Sequence, residues 1–323
     1  MWFLLKLPDV NAESGVVKPA AQKTLAIIMT NMFNDYQAAK KIKSLSISKK
    51  IPLIEDNAIY FDNFSKNKNK KYFSGSLGDY SIYSFNIMKN ISSFYGGALS
   101  TNNHEFTQFY FREEKKLKKF PFFSLLKQIL IFFILKIMSI NKLYKHFFRH
   151  IIKYSHEYKV KFLLELFYPS LKSIRKKFPK FYFSKISNIS INATYLQLFK
   201  KERNIIFNIR KKNHKLYAKI LGKIKSNNFE LTLKTDENYQ NFLDFPILVK
   251  RKESLNKFLL NHGIEVRLKH YYNCAKMFYK KDSNTIAERY EKELICLPVH
   301  RKITPSYIAF VAKKIDQFYQ SNE

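Results

Sequence analysis

Lys89 stands in the most glycine-dense part of this 323-residue chain. Gly75-Ser76-Leu77-Gly78-Asp79 precedes it and Gly96-Gly97 comes after, so four of the seven glycines share one short stretch. A lysine amine attacks carbonyl groups once it is neutral. Upstream runs Ile51-Pro52-Leu53-Ile54-Glu55-Asp56-Asn57-Ala58, an apolar segment that ends in acid. Such a run reads as a buried strand with Asp56 at its C-terminal end, where a carboxylate can sit against a cationic group. Ser84 adds a hydroxyl five residues before Lys89. Hydroxyls and backbone N–H groups in a tight, glycine-bearing segment are the donors that a phosphate needs. Taken singly, Asp56 ends a strand at the surface, Lys89 is one solvated lysine, and the glycines only make turns. Their joint order and spacing point instead to one site.

The elements that must position these groups alternate in type. Thr24 to Thr30 reads as a strand, Tyr36 to Ser46 as a helix and Ile51 to Ile54 as a strand; the Lys89 loop and a strand over Ala98 to Thr101 come next. Gly96 and Gly97 permit the sharp turn into that last strand. Strands alternating with helices imply a mostly parallel sheet with ligands at the strands' C-terminal ends. From Ser184 a helix runs to Leu198, a basic helix spans Arg203 to Leu221, and Phe245 to Val249 is a strand. Ser254 to His262 reads as a helix stopped by Gly263, and Thr304 with Pro305 opens the final helix as cap and first turn.

The intervening residues differ. Between Phe111 and Lys219 the chain carries 27 Lys/Arg against 5 Asp/Glu. Phe120 to Ile140 is strongly apolar, but Lys127 and Lys136 interrupt it. The longest uncharged run inside that apolar stretch, Gln128 to Leu135, is far shorter than the roughly 20 residues that span a bilayer, so no transmembrane helix is expected there. Further on, helical spacing puts Lys142, Lys145, Arg149, Lys153 and His156 on one side and Leu143, Phe147, Ile151, Tyr154 and Tyr158 on the other. Opposed basic and apolar stripes suit either an anionic membrane surface, contacted through residues 120–160, or a surface helix whose apolar face packs on protein.

Several of these segments together resemble one family. They are Ser84-Phe85-x-x-x-Lys89, Glu55-Asp56, Gly96-Gly97, the helix ending Ala193-Thr194-Tyr195-Leu196-Gln197-Leu198, Gly263-Ile264-Glu265-Val266-Arg267 and Leu297-Pro298-Val299-His300. Over residues 20–110 and 184–320 the chain is similar to the DegT/DnrJ/EryC1/StrS family of sugar aminotransferases, which use pyridoxal phosphate (PLP). The resemblance implies an α/β, aspartate-aminotransferase-like fold. Residues 1–110 would be the remnant of an incomplete large PLP-binding domain, 111–183 a basic hydrophobic helical insertion, and 184–323 a connecting helix and small C-terminal α/β domain.

It also implies the site. Lys89 would hold PLP covalently, Asp56 would keep its ring nitrogen protonated, and Ser84 would anchor its phosphate. Ile59 stands where the family usually has a ring-supporting Gln, and Asn86 where it often has His. Phe183-Ser184-Lys185 falls where the family's Asn-x-Arg reaches across a dimer interface. The implied substrates are a keto sugar nucleotide and an amino acid donor, the implied assembly a homodimer, and the implied outlet surface polysaccharide or glycoconjugate synthesis. Family members carry a substantial stretch before the strand at Thr24, so a missing N-terminal part is expected.

Composition sets the remaining bounds. A formal net charge of +33 suggests anionic partners, though abundant Lys, Asn, Ile and Phe also fit an A/T-rich genome. No zinc-finger spacing, RNA-recognition aromatic motif or single basic recognition helix is present, so no specific nucleic acid is expected. Cys274 and Cys296 form no disulfide framework or metal site, and Met1-Trp2-Phe3-Leu4-Leu5 lacks a signal peptide's basic start. A cytoplasmic location, peripheral to the inner membrane face, fits. Two other readings stay open: a catalytically inactive fragment or diverged paralogue, and a protein whose function is membrane-surface binding.

Overall fold

The structure, a computed structural model, describes residues 24–32, 36–61, 73–87, 89–167, 180–199, 202–224, 226–232, 242–268, 273 and 285–320. The opening Met1 to Leu5 segment, Asn34 and Cys274 lie outside the described residues.

The first layer is a four-stranded sheet in the order β1 (Ile27–Thr30), β2 (Leu53–Asn57), β3 (Tyr80–Ser84), β4 (Gly97–Thr101). β1–β2 and β2–β3 pair in parallel and β3–β4 antiparallel, so the sheet is mostly parallel as its alternation with helices requires. α1 (Tyr36–Lys49) makes the crossover from β1 to β2. Strand parity decides what is buried. Leu53, Glu55 and Asn57 are buried along β2, while Ile54 and Asp56 alternate with them. Met29, Ala39, Leu53 and Tyr60 form the small apolar core here. The strand expected to stop at Ile54 continues through Asn57, which places Asp56 inside it, paired with Thr30 on one side and Ile82 on the other.

A second sheet, antiparallel in the order β5 (Phe229–Leu231), β6 (Phe245–Val249), β7 (Leu294–Leu297), carries the larger core. All five residues of β6 are buried, as in a strand covered on both faces. Against this sheet pack α7 (Glu202–Leu221), α8 (Lys252–Asn261), α9 (Thr285–Glu293) and α10 (Pro305–Gln320). Helix α10 buries Ile308, Val311, Ala312, Ile315 and Phe318, the stripe that a 3.6-residue period makes. Its start is as expected: Thr304 Oγ1 accepts from Tyr307 N–H at 3.2 Å.

Helix α8 ends in a Schellman turn. Gly263 adopts φ +75°, Ile264 N–H donates to Leu259 C=O at 2.9 Å, and Gly263 N–H donates to Leu260 C=O at 3.0 Å. A Cβ on Gly263 would also approach the Arg149 guanidinium carbon to 3.0 Å.

Between the sheets lie α2 (His104–Lys116), α3 (Phe122–Met138), α4 (Asn141–Glu157), α5 (Lys161–Phe167), a short 3-10 turn (Lys180–Phe183) and α6 (Asn188–Phe199). Helix α2 runs across the boundary drawn after residue 110 and ends at Lys116. No single helix among the described residues is long and apolar enough to cross a membrane; α3 and α4 together form a pair bent by 80°.

Helix α4 departs from the stripes read off its sequence. A π-turn over Tyr144–Phe148 adds a residue to one turn and rotates the rest of the helix. Arg149 therefore reaches protein, donating to the Asn261 carbonyl at 3.1 Å, and Ile151 packs with Met138, Ile152 and Leu260. His156 is half-buried, and burial holds its imidazole below the ordinary value. Leu143, Phe147, Tyr154 and Tyr158 remain exposed.

Gly263→Ala is expected to destabilise the protein by about 1 kcal/mol or more, because the left-handed cap admits a Cβ only with strain. Urea unfolding of the two proteins measures it.

Candidate active site

The buried carboxylate of Glu55 organises the site's floor. Its Oε1 accepts from the N–H groups of Leu77 and Gly78 at 2.6 and 2.5 Å. Its Oε2 accepts from Gly75 N–H at 3.0 Å and from the amides of Asn31 and Asn57 at 3.2 and 3.3 Å. One side chain on β2 thus fixes the glycine segment that leads into β3. Asp56, the next residue, lies on the opposite strand parity; its Oδ1 accepts from Ala58 N–H at 3.0 Å, which orients the carboxylate.

Beyond β3 the chain enters the Lys89 loop. Ser84 is the last residue of β3 and pairs with Gly97, where a Cβ would collide with the Tyr83 carbonyl oxygen. Three distant helices then grip the loop. Gln128 of α3 donates to Asn86 Oδ1 at 2.9 Å, an oxygen that also accepts from Ile87 N–H at 2.8 Å. Gln197 of α6 accepts from Ser92 N–H at 2.9 Å and donates to the Ser92 carbonyl. Arg210 of α7 donates to Asn90 Oδ1. Phe132 of α3 meets Phe94 edge-on, with ring centroids 5.7 Å apart. The helical segment expected as an insertion thus contacts the Lys89 loop through Gln128 and Phe132 of α3.

Electrostatics show what surrounds the amine. Burial holds the Lys89 amine below the usual lysine range and the Arg267 guanidinium pushes it further down, while Asp56 and Asp244 oppose the shift. A lowered amine pKa makes the nucleophilic, unprotonated form of the lysine easier to reach. Asp244 and Arg267 form an ion pair of 2.7 Å, and Arg267 is fixed by two backbone hydrogen bonds with Cys296 of β7 at 3.0 and 2.9 Å. His214 and His300 stand in the same electrostatic neighbourhood. Burial pushes His214 down to about 3, and it lowers His300, helped by Arg210 and Lys302. His214 is therefore neutral at ordinary pH.

The structure thus brings Lys89, Asp56 and Ser84 to one end of the first sheet and sets groups from the C-terminal unit against Lys89. Asn86 is engaged with α3, and Ile59 lies two residues beyond β2 next to fully buried Tyr60. Lys185 is ion-paired with Glu114 at 3.7 Å, and Phe183 is exposed. The sequence reading did not give Glu55, Asp244, Arg210, Gln128 or Gln197 any role in the site.

The residues fit PLP on their own chemistry. A half-buried lysine with a lowered pKa suits covalent attachment to an aldehyde, Asp56 suits a ring nitrogen that must stay protonated, and Ser84 beside the glycine turn suits a phosphate. The comparisons agree. The fold is that of PLP-dependent sugar aminotransferases. Residues 9–115 and 181–316 match the DegT/DnrJ/EryC1/StrS aminotransferase family, and the chain belongs to that family.

Among solved structures, the chain is similar to the aminotransferase TlmJ from Streptoalloteichus hindustanus, with 13% identity and a TM-score of 0.65 over 97% of this chain and 72% of that one. It is similar to Helicobacter pylori PseC, an aminotransferase involved in the biosynthesis of pseudoaminic acid (16% identity, TM-score 0.60, 97% of this chain and 73% of that one). It also resembles E. coli GDP-4-keto-6-deoxy-D-mannose-3-dehydratase with bound hydrated PLP (16% identity, TM-score 0.61, 95% of this chain and 72% of that one). No curated protein matches the sequence.

Two predictions come from this geometry. Glu55→Gln replaces one acceptor oxygen by a donor facing N–H groups, so it should destabilise the protein by roughly 2 kcal/mol or more in urea unfolding. Removing Arg267's charge (Arg267→Gln) should raise the Lys89 amine pKa, and removing Asp244's (Asp244→Asn) should lower it. The pH at which Lys89 captures PLP, tracked by absorbance, should move up in the first variant and down in the second.

Proposed function

We propose that this protein transfers an amino group from an amino acid donor to a keto sugar nucleotide. The observation that carries the reading is the placement of Lys89 in a loop off the C-terminal end of β3, its amine pKa lowered by burial and within the electrostatic reach of Asp56 and the Asp244–Arg267 pair. PLP supplies an electron-withdrawing ring that makes the donor's Cα–H acidic. Lys89 Nζ would hold the cofactor and would serve as the base that moves the proton at the donor's Cα. Asp56 would keep positive charge on the ring nitrogen, and Ser84 would donate to the phosphate.

A keto sugar nucleotide is supported by the family's sugar aminotransferase character and by the GDP-4-keto sugar named for the E. coli relative. PseC's part in pseudoaminic acid biosynthesis supports an outlet in surface polysaccharide or glycoconjugate synthesis. We infer a homodimer and a cytoplasmic location. Support for the dimer is the exposed apolar residues Ile189, Leu196 and Phe199 on α6, the helix that also grips the Lys89 loop.

Incubation with PLP, borohydride reduction and peptide mapping should place the phosphopyridoxyl mass on Lys89, and Lys89→Ala should remove it. A label on other lysines only would assign the chain to an inactive paralogue. Asp56→Asn keeps shape and loses charge; it should lower turnover by at least about a hundredfold with folding intact. Near-normal turnover in that variant would exclude electrostatic support of the ring.

A further inference from the structure

Helix α3 has two faces of opposite use. One meets the protein through Leu125, Gln128 and Met138, with Gln128 holding the Lys89 loop. The other presents Phe123, Leu126, Leu130, Phe133 and Ile137 to solvent, and Phe123 is 82% exposed. At 100° per residue these five fall within a sector about 80° wide, a continuous apolar stripe. Lys127 borders it on one side and Lys136 on the other, both exposed.

We propose that this stripe seats α3 in the interface of an anionic lipid membrane, with α4 beside it. The inference goes beyond the aminotransferase reading and does not depend on it. Charge selects the occupant. Helices α3 and α4 together carry six Lys/Arg and one Glu, and the whole chain has a formal charge of +33. A second copy would bring lysines against lysines, whereas an anionic lipid surface answers both the apolar stripe and its basic border.

Length and shape favour lying in the interface over crossing it. The 17 residues of α3 make about 25 Å of helix, short of a span with its flanks, and the 80° bend turns α4 away from the same axis. Exposed Lys142, Lys145 and Lys153 on α4, with Leu143 and Phe147, extend the same mixture of basic and apolar groups. The lipid-facing surface is thus centred on α3, whose aromatic residues bury most deeply, and α4 contributes mainly charge.

Sedimentation of the full chain with phosphatidylglycerol/phosphatidylcholine vesicles tests this, against pure phosphatidylcholine. The wild type should bind the anionic vesicles and be released as salt rises. The triple variant Phe123→Glu/Leu130→Glu/Phe133→Glu should lose more than about tenfold in partitioning. Lys127→Glu/Lys136→Glu should lose about tenfold and show a flatter salt dependence. Circular dichroism melts should match the wild type, since all five side chains are solvent-exposed. Unchanged vesicle binding in the triple variant overturns the proposal. If vesicle binding is unchanged and self-association is lost, the stripe belongs to a second copy; if it is unchanged and the melt falls, it belongs to the chain's own packing.

Discussion

A buried carboxylate with five N–H donors holds the cofactor-binding end of the first sheet together. Glu55 sits on the inward parity of β2, where an apolar residue would be expected, and is fully buried. A buried carboxyl group in that position is tolerated only when its oxygens are satisfied, and the segment Gly75 to Gly78 folds around it to supply the donors. The same contact sets where β3 begins and hence where Ser84 and the Lys89 loop emerge. It also orients Asp56, because adjacent strand residues point to opposite faces. Glu55 and Asp56 are two acids with two tasks, one binding the chain to itself and the other left facing the site.

The chemistry at Lys89 belongs to neither sheet alone. Asp56 comes from the first sheet, while Asp244 and Arg267 flank the second. Their opposing effects on the amine mean that its pKa depends on how the two units are placed against each other. The helices between the sheets keep that placement. Helix α3 holds Asn86, α6 holds Ser92 and α7 holds Asn90, while Tyr144 of α4 donates to Glu265 at 2.9 Å on the side of the C-terminal unit. Helix α3, the most apolar among the described helices, touches both the loop, through Gln128, and the C-terminal unit, through Met138 against Leu260.

Much of this was legible in the sequence where a local rule decides the structure. Strand β6 was found from a short apolar run, α10 from its Thr304-Pro305 start, and the end of α8 from Gly263. Asp56, Ser84 and Lys89 were found because their spacing survives as a linear pattern. Strand β3 was hidden inside the glycine stretch, although the alternation Tyr80-Ser81-Ile82-Tyr83-Ser84 carries the signal. Glu55 could have been found by parity, since Leu53 inward forces Glu55 inward. Asp244 and Arg210 carried no local signal, because their importance arises only where remote segments meet. The stripes of α4 failed for a different reason: a helical wheel assumes an unbroken 3.6-residue turn, and the π-turn at Tyr144–Phe148 breaks it.

The grips on the Lys89 loop have a consequence for how the protein comes into being. They join residues 42, 105 and 120 positions apart along the chain. Contacts of such separation form late in folding, because long loops must close before any of them is rewarded. As the chain leaves the ribosome, Lys89 emerges well before Gln197, Arg210 and Arg267. The surroundings that lower its amine pKa are therefore complete only once the C-terminal unit has folded against its loop.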